Sequence, residues 1–464
     1  MKPVKRRTFI KNTMLTSAGI AIGAPAYIKN FIQNKPGDTI NVAVIGINSQ
    51  GANHYRTFGK IPNCKVVAVC DCVDYLLTGA SAQVEKLTGT KPKTYIDYRK
   101  LLEDKDIDAV SIGAPGYWHA LMTINACQAG KDVYCEKPLS YNIDEGRKMV
   151  QAARKYNRIV QVGLQHRSSM ISREAIRLLR EGVIGDVYMG RGTVYRHRAT
   201  IGRKADSDIP KGVNWDLFRG PAPMIPFNQN HFLYNWHWFW DTSTGEFGNN
   251  GVHAMDRIRL GMNINEHPVK ISCSGGFYAY DSDQEVPNLQ VATYEYGNGA
   301  VMELAVRSLY TPDDDGLLWL GTKGYALLGS KFEVFLEAGQ RPQAAGTTQP
   351  QVTRGASGEP AMTITEQDLP ADSRRFEFDK RGVNFHYVNF LDTIRSRNYK
   401  DLIADIEEGH ISTVQMHLGN IAYRTGRKLV FDGKTEKFVK DKDANSYLSR
   451  PGGGRKPYNI PKEV

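Results

Sequence analysis

Thr39-Ile40-Asn41-Val42-Ala43-Val44-Ile45-Gly46-Ile47-Asn48-Ser49-Gln50-Gly51 decides the fold. Its first seven residues read as a near-continuous apolar strand, the pattern of a parallel strand buried on both faces. A glycine turn follows at once. Gly46 and Gly51 bracket a dinucleotide-type fingerprint whose middle glycine is replaced by Asn48. Asparagine tolerates left-handed backbone, so the turn is expected to survive the replacement. A second strand pattern, Val66-Val67-Ala68-Val69-Cys70, ends in Asp71, 20 residues after Gly51. A carboxylate at that place binds ribose hydroxyls in doubly wound folds. No arginine follows it closely to neutralise a 2′-phosphate, so the expected cofactor is NAD rather than NADP.

The alternation of strand and helix continues outward. Residues 97–103 read as a short helix. Asp108-Ala109-Val110-Ser111-Ile112-Gly113 is a further strand, running into Ala114-Pro115-Gly116-Tyr117-Trp118-His119. His119 either caps the helix that follows, residues 120–129, or touches a ligand. Residues 132–135 form another strand, and Glu136-Lys137-Pro138 comes directly after it. A lysine at the carboxyl end of such a strand points into the crevice where open α/β sheets bind ligands. There it can hydrogen-bond or protonate a substrate oxygen, and burial tunes its pKa toward neutrality. Pro138 allows a cis bond that would turn the lysine inward. Asn142-Ile143-Asp144-Glu145 reads as a capping box opening a helix to Tyr156. Residues 158–163 close the sheet, followed by Leu164-Gln165-His166-Arg167.

Composition narrows the function classes. The 464 residues are 41% hydrophobic and 23% charged, an ordinary globular balance with room for two or three domains. The net charge of +11 is spread without a dense basic stripe interleaved with aromatics, so no nucleic-acid partner is expected. The six cysteines show neither a disulfide framework nor CxxC spacing, and they read as small buried apolar residues; no metal site is expected. Lys5-Arg6-Arg7-Thr8-Phe9 precedes a glycine-broken apolar run and Ala24-Pro25-Ala26. This pattern matches a twin-arginine signal peptide over residues 1–30, hence a periplasmic location. No later run is long enough to span a membrane, so no spanning segment is expected in the mature chain.

Taken together, Gly46 to Gly51, Asp71, Ala114-Pro115 with His119, Gly130-Lys131-Asp132-Val133 and Glu136-Lys137-Pro138 resemble the glucose–fructose oxidoreductase and inositol dehydrogenase (Gfo/Idh/MocA) family, in its exported twin-arginine form. The resemblance covers most of the mature chain. It implies an α/β protein: an N-terminal Rossmann domain with a doubly wound parallel sheet over residues 38–165, and a C-terminal α/β domain with a largely antiparallel sheet over 166–440. Helices in 384–427 would pack back on the first domain, and an extended tail over 441–464 would wrap a partner subunit of a homo-oligomer. The cofactor NAD would lie against Gly46, Asn48, Ser49, Gln50, Gly51, Asp71, Ala114, Pro115, Trp118, His119, Glu136, Lys137, Gln165 and Arg167.

The second half carries the rest of the expected site. Residues 174–181 form an amphipathic helix and 186–197 a long strand. Asn214-Trp215-Asp216 and Phe218-Arg219-Gly220-Pro221 read as a loop. Asn235-Trp236-His237-Trp238-Phe239-Trp240-Asp241 is unusually aromatic, and Trp236 and Trp238 suit either a wall that stacks on sugar C–H faces or core packing. In Gly245 to Asp256, His253 and Asp256 share a helix face. The resemblance implies that His253 is a catalytic base, with an aspartate four residues earlier, where this chain has Asn249. An asparagine orients an imidazole but cannot stabilise imidazolium by charge. Four strand patterns (269–277, 289–296, 301–307 and 317–321), a long surface loop (338–372) and two helices (384–395 and 406–427) complete the chain.

The expected activity is hydride removal from a ring carbon of a sugar or glycoside, with tightly bound, recycled NAD. Lys137, His253, Asn249 and Asp256 are the expected catalytic residues, and Lys137, Trp236, Trp238 and His253 the expected substrate contacts. A redox-neutral NAD-dependent glycosidase and a non-catalytic sugar-binding protein are the competing readings.

Overall fold

The structure is a computed structural model that describes residues 39–311, 315–337, 358–369 and 383–464. The expected signal peptide lies outside the described residues, as does much of the expected loop at 338–372.

The apolar runs of the first half become strands β1 (Ile40–Ile45), β2 (Cys64–Cys70), β3 (Lys93–Tyr95), β4 (Ala109–Ile112), β5 (Asp132–Cys135) and β6 (Val160–Val162). They form one parallel sheet in the order β3-β2-β1-β4-β5-β6, the doubly wound arrangement of a Rossmann domain. Between them run α1 (Gln50–Phe58), α2 (Asp74–Thr88), α3 (Tyr98–Leu102), α4 (His119–Gln128) and α5 (Ile143–Lys155). Half of the expected capping box at α5 forms: Asn142 Oδ1 accepts from the Glu145 amide at 2.9 Å, but Glu145 Oε1 accepts from the Asn142 side-chain Nδ2, at 2.8 Å, rather than from its backbone amide. Order reverses between β1 and β4, and the crevice of such a sheet opens there, at the carboxyl ends of the strands.

After α6 (Met170–Arg180), the long strand β7 (Val187–Tyr195) enters a second sheet with β8 (Lys270–Gly276), β9 (Leu289–Glu295), β10 (Val301–Arg307), β11 (Gly316–Gly321), β12 (Gly324–Leu328), β13 (Phe332–Leu336) and β14 (Met362–Ile364). The sheet is antiparallel except where β7 pairs with β10 in parallel. Strand β14 falls inside the expected surface loop, so part of that stretch is a sheet edge. The expected loop at 214–221 also contains a helix, α7 (Trp215–Arg219), capped by Asn214 Oδ1 on the Leu217 amide.

The apolar face of this sheet is covered by α8 (Val252–Gly261) and by α10 (Ile406–Thr425), which follows α9 (Val383–Ser396). Helix α10 is buried along most of its length and packs on both α5 and β8, tying the two sheets together. Strands β15 (Leu429–Asp432) and β16 (Lys437–Phe438) extend the second sheet.

The segment 441–464 is not an extended strap. It opens with α11 (Lys442–Ser446) and then folds onto its own chain. Arg450 Nε bonds Glu145 Oε1 at 2.7 Å, Arg455 Nε bonds the Gly220 carbonyl at 2.9 Å, and Tyr458 OH bonds Asp216 at 2.6 Å.

Candidate active site

The glycine turn after β1 is shaped for close approach. Gly46 has φ +74°, and a Cβ on it would stand 2.4 Å from the Ala114 nitrogen. A Cβ on Gly51 would stand 1.8 Å from the Gly46 carbonyl oxygen. Only glycine lets the first turn, the start of α1 and the end of β4 pack this tightly. The left-handed residue beyond Gly46 is Ser49, with φ 47°, and not Asn48, so the replaced glycine position needs no special backbone. The amino end of α1 reaches the cleft through Ser49 and Gln50, while the Gly51 and Ala52 amides bond the Asn48 and Ser49 carbonyls; the positive end of the helix dipole suits a pyrophosphate there.

Asp71 stands at the end of β2. Its carboxylate accepts from the amides of Ile47 and Val73, both at 3.1 Å, which aims it along the glycine turn. Burial pushes its carboxyl up to about 6, against the lowering effect of those amide bonds. This cradle and carboxylate fit the pyrophosphate and ribose of a dinucleotide.

A cleft of about 320 Å³ runs from here between the two domains. Gly46, Asn48, Ser49, Gln50, Asp71, Ala114, Pro115, Trp118 and His119 line its first half; Glu136 and Lys137 form its middle. His119 is buried, and its ring nitrogens lie 2.8 Å and 2.7 Å from the carbonyls of Ala114 and Pro138. It ties the cofactor loop to the lysine turn and leaves no nitrogen for a ligand. Glu136 is enclosed by His54 Nε2 at 3.1 Å, Gln165 Nε2 at 2.7 Å and Gln50 Nε2 at 3.3 Å. Burial opposes its ionisation, but the His54 hydrogen bond and nearby positive charge hold its carboxyl below the usual range. Glu136 thus fixes the strand end that presents Lys137.

The Lys137–Pro138 bond is cis. Lys137 Nζ donates to the Asn249 carbonyl at 2.6 Å and to Asn249 Oδ1 at 3.1 Å. Burial holds its ammonium below the ordinary lysine range, against the charges of Glu136 and Glu246. Asn249 sits in a π-helical turn, Phe247–Gly251, directly before α8.

Asp256, Arg167, Gln165, Trp238 and His253, all expected site residues, stand outside the cleft lining. Asp256 is fully engaged: Arg167 grips both its oxygens, at 2.6 and 2.7 Å, and Ser412 adds a bond at 2.6 Å. Arg167 also bonds the Ile403 carbonyl and Glu408, and neither it nor Gln165 lines the cleft. The Asp256–Arg167 pair is a buried strut against α10, away from the residues that line the cleft. Trp238 is 4% exposed and packs with Phe239 and Val286 as core; Trp236 does line the cleft. His253 is half-buried, its ring 4.5 Å from that of His166, and it is not among the cleft-lining residues. Burial, then the charges of His166 and Lys137, hold its imidazole well below the ordinary range.

His237, which sequence reasoning passed over as one aromatic among many, does line the cleft. Its Nδ1 lies 2.6 Å from the Tyr234 carbonyl. A carbonyl only accepts, so Nδ1 carries the proton and Nε2 keeps its lone pair. The ring stacks on Trp236 with centroids 3.7 Å apart, and burial pushes its pKa down to about 3, so it is a neutral acceptor. The signal available in the sequence was the three-residue spacing of Tyr234 and His237, one turn apart in the short 3₁₀ helix Leu233–Trp238.

Comparison with known families places this geometry. Residues 40–164 match the model described as an oxidoreductase family with NAD-binding Rossmann fold, and residues 188–318 with 376–460 match that family's C-terminal alpha/beta domain. The chain belongs to the Gfo/Idh/MocA oxidoreductase family. Its first domain is an NAD-binding Rossmann domain. Similar curated proteins include the uncharacterized oxidoreductase YrbE of Bacillus subtilis, 27% identical over 62% of this chain and 73% of that protein. A glycosyl hydrolase family 109 protein of Shewanella pealeana is 27% identical over 40% of this chain and 45% of its own length. An inositol 2-dehydrogenase of Salmonella typhimurium is 32% identical over 34% and 46%. The chain thus spans less than half the length of the last two. Among solved structures, levoglucosan dehydrogenase in complex with NADH and levoglucosan superposes with a TM-score of 0.63 at 16% identity, covering 87% of this chain and all of that one. The WlbA dehydrogenase from Chromobacterium violaceum superposes at 0.61, with 20% identity and coverage of 85% and 96%. At these identities the likeness establishes the fold.

Proposed function

We propose that the protein is an NAD-dependent oxidoreductase acting on a ring hydroxyl of a sugar or glycoside. The observation that carries this reading is Lys137: an ammonium at the carboxyl end of β5, inside a cleft whose cofactor half fits a dinucleotide. Bound NAD would supply the hydride acceptor. Lys137, in the neutral amine form that burial favours, would accept the proton of the reacting hydroxyl on Nζ and so become the ammonium as hydride leaves for NAD. His237 Nε2 would accept a hydrogen bond from a neighbouring hydroxyl without taking charge, and Trp236 with Tyr234 would flank the ring. The family's sugar and polyol dehydrogenases, inositol 2-dehydrogenase and levoglucosan dehydrogenase among the similar proteins, support this substrate class.

A second reading is favoured by one observation, the similarity to glycosyl hydrolase family 109 proteins. On that reading the oxidation is transient and the product is a cleaved glycoside, with no net change of redox state. Both readings are tested by incubating the purified protein with a glycoside panel and assaying separately for ketosugar and for free aglycone. Ketosugar with reduced dinucleotide supports the first, aglycone without it the second, and neither product from any member of the panel refutes both.

A further inference from the structure

Glu246 is a buried carboxylate, 2% exposed, that the proposed chemistry does not yet use. Its Oε1 accepts from Arg198 Nε at 2.7 Å and from Asn249 Nδ2 at 3.1 Å; its Oε2 accepts from Asn250 Nδ2 at 2.6 Å. The Asn249 amide therefore spans two charges. Its nitrogen faces Glu246, and its oxygen accepts from Lys137 Nζ. The orientation is forced, because a carboxylate only accepts and an ammonium only donates. A bond from Asn249 Nδ2 to Tyr234 OH at 3.3 Å completes the amide.

We propose that Glu246, acting through the Asn249 side-chain amide, is the positioning carboxylate for the Lys137 ammonium. The assignment rests on the reading of Lys137 as the proton-transfer residue. An ammonium and a carboxylate joined by one aligned amide form a spaced ion pair. A spaced pair steadies the charge less than direct contact does, which leaves the lysine able to give up its proton. The other charged and titratable groups around Lys137 are Glu136, His119, His237, His253 and Arg198. Glu136 is locked by His54, Gln50 and Gln165, and His119 by two carbonyls. Arg198 opposes the lysine charge and is itself held by Glu246. Glu246 is thus the carboxylate through which the two domains meet at the reacting group.

The test is the pH dependence of trinitrobenzenesulfonate labelling of Lys137 in the full chain, mapped by mass spectrometry and read without any turnover. Glu246→Gln should lower the labelling midpoint by about one pH unit. Asn249→Ala, which removes the bridge but keeps the backbone contact, should lower it likewise. Asn249→Asp in the Glu246→Gln background restores a carboxylate and should bring the midpoint back to or above that of the unaltered protein. If Glu246→Gln does not fold, Asn249→Ala carries the test alone. A midpoint unmoved in Asn249→Ala, or in a folded Glu246→Gln, overturns the proposal. If the midpoints move as expected while the pH profile of glycoside oxidation does not follow, the positioning assignment stands and the proton-transfer reading of Lys137 fails.

Discussion

Lys137 Nζ donates to both oxygens of Asn249, a residue 112 positions away in the other domain. The lysine comes from the end of a parallel strand and the asparagine from a π-helical turn under the second sheet. Their contact fixes where a substrate oxygen can sit, because the ammonium has only one hydrogen left to offer.

The first prediction follows from that geometry. Lys137→Ala should lower kcat by roughly 10²–10⁴-fold, the range of a proton-transfer group. Dinucleotide binding should persist, since the glycine turn and Asp71 lie on other strands. Stopped turnover with NAD still bound, read by calorimetry, is the expected result; near-normal turnover would reduce Lys137 to a turn residue.

Asp71 gives a pH dependence with a definite sign. Burial raises its carboxyl to about 6, above its ordinary value near 4. From that group alone, the cofactor-free fold loses stability as pH rises through the interval from about 4 to 6. Binding runs the other way, because the ribose hydroxyls bond best to the ionised form. NAD affinity should rise as pH passes 6, and Asp71→Asn should flatten the rise and cost about 1.5–3 kcal/mol at neutral pH. Titration calorimetry between pH 5 and 8 measures both.

The Rossmann half was legible because parallel strands are written as local apolar runs and the glycine turn follows one of them. Each signal lies within about ten residues. The surroundings of Asp256 were not legible, for the opposite reason. Its i, i+3 relation to His253 is local, but its role is decided by Arg167, 89 positions earlier, and Ser412, 156 later. Trp236 and Trp238 are two residues apart and both meet the His237 ring, but Trp238 also packs on Phe239 and Val286, so one is wall and the other core. His237 acquires its role from a tautomer that only the Tyr234 carbonyl sets. In 441–464 the helix has a local signal, Asp441 Oδ1 capping the Ala444 amide, whereas the course of the rest is decided by distant contacts of Arg450, Arg455 and Tyr458 with residues 145, 216 and 220.

Asp256 should therefore behave as a structural residue. Removing one partner of a buried ion pair leaves an uncompensated charge and costs about 3–5 kcal/mol. Asp256→Asn should show that loss in chemical denaturation, with kcat per folded molecule close to that of the unaltered protein. A large fall in kcat without loss of stability would return Asp256 to the catalytic group.

Glu436 predicts acid sensitivity. Its Oε1 accepts from His410 at 2.8 Å, His267 at 3.0 Å and Arg147 at 2.8 Å. Burial alone would raise its carboxyl, but these hydrogen bonds outweigh it and hold the folded value well below the ordinary one. A depressed carboxylate contributes stability that is complete above its unfolded value, about 4.3, and is lost as pH falls below it. Thermal unfolding should show a steeper fall in Tm below about pH 4 for the unaltered protein than for Glu436→Gln, whose Tm should already be lower at pH 7.

The tail and the amino-terminal pattern lead to one prediction about cofactor retention. Tyr458 packs edge-on against Trp118 at 5.3 Å, and Arg455 holds the carbonyls of Gly220 and Ala222. Trp118 and Phe218 line the cofactor side of the cleft, so the tail braces that wall from behind. If the twin-arginine pattern directs export, the protein would work where free NAD is scarce, and a cofactor released each turn would be lost. The braced wall fits a dinucleotide loaded before export and kept through many turnovers. The full chain should purify with NAD bound and turn over glycosides without added cofactor. Deleting residues 450–464 should speed NAD dissociation roughly tenfold or more, about 1.4 kcal/mol, with kcat at saturating NAD largely preserved. Dissociation can be followed by fluorescence after dilution of the loaded protein. Equal off-rates in the full and truncated chains would show that the tail does not hold the cofactor, and strict dependence on added NAD in the full chain would show that the cofactor is not retained at all.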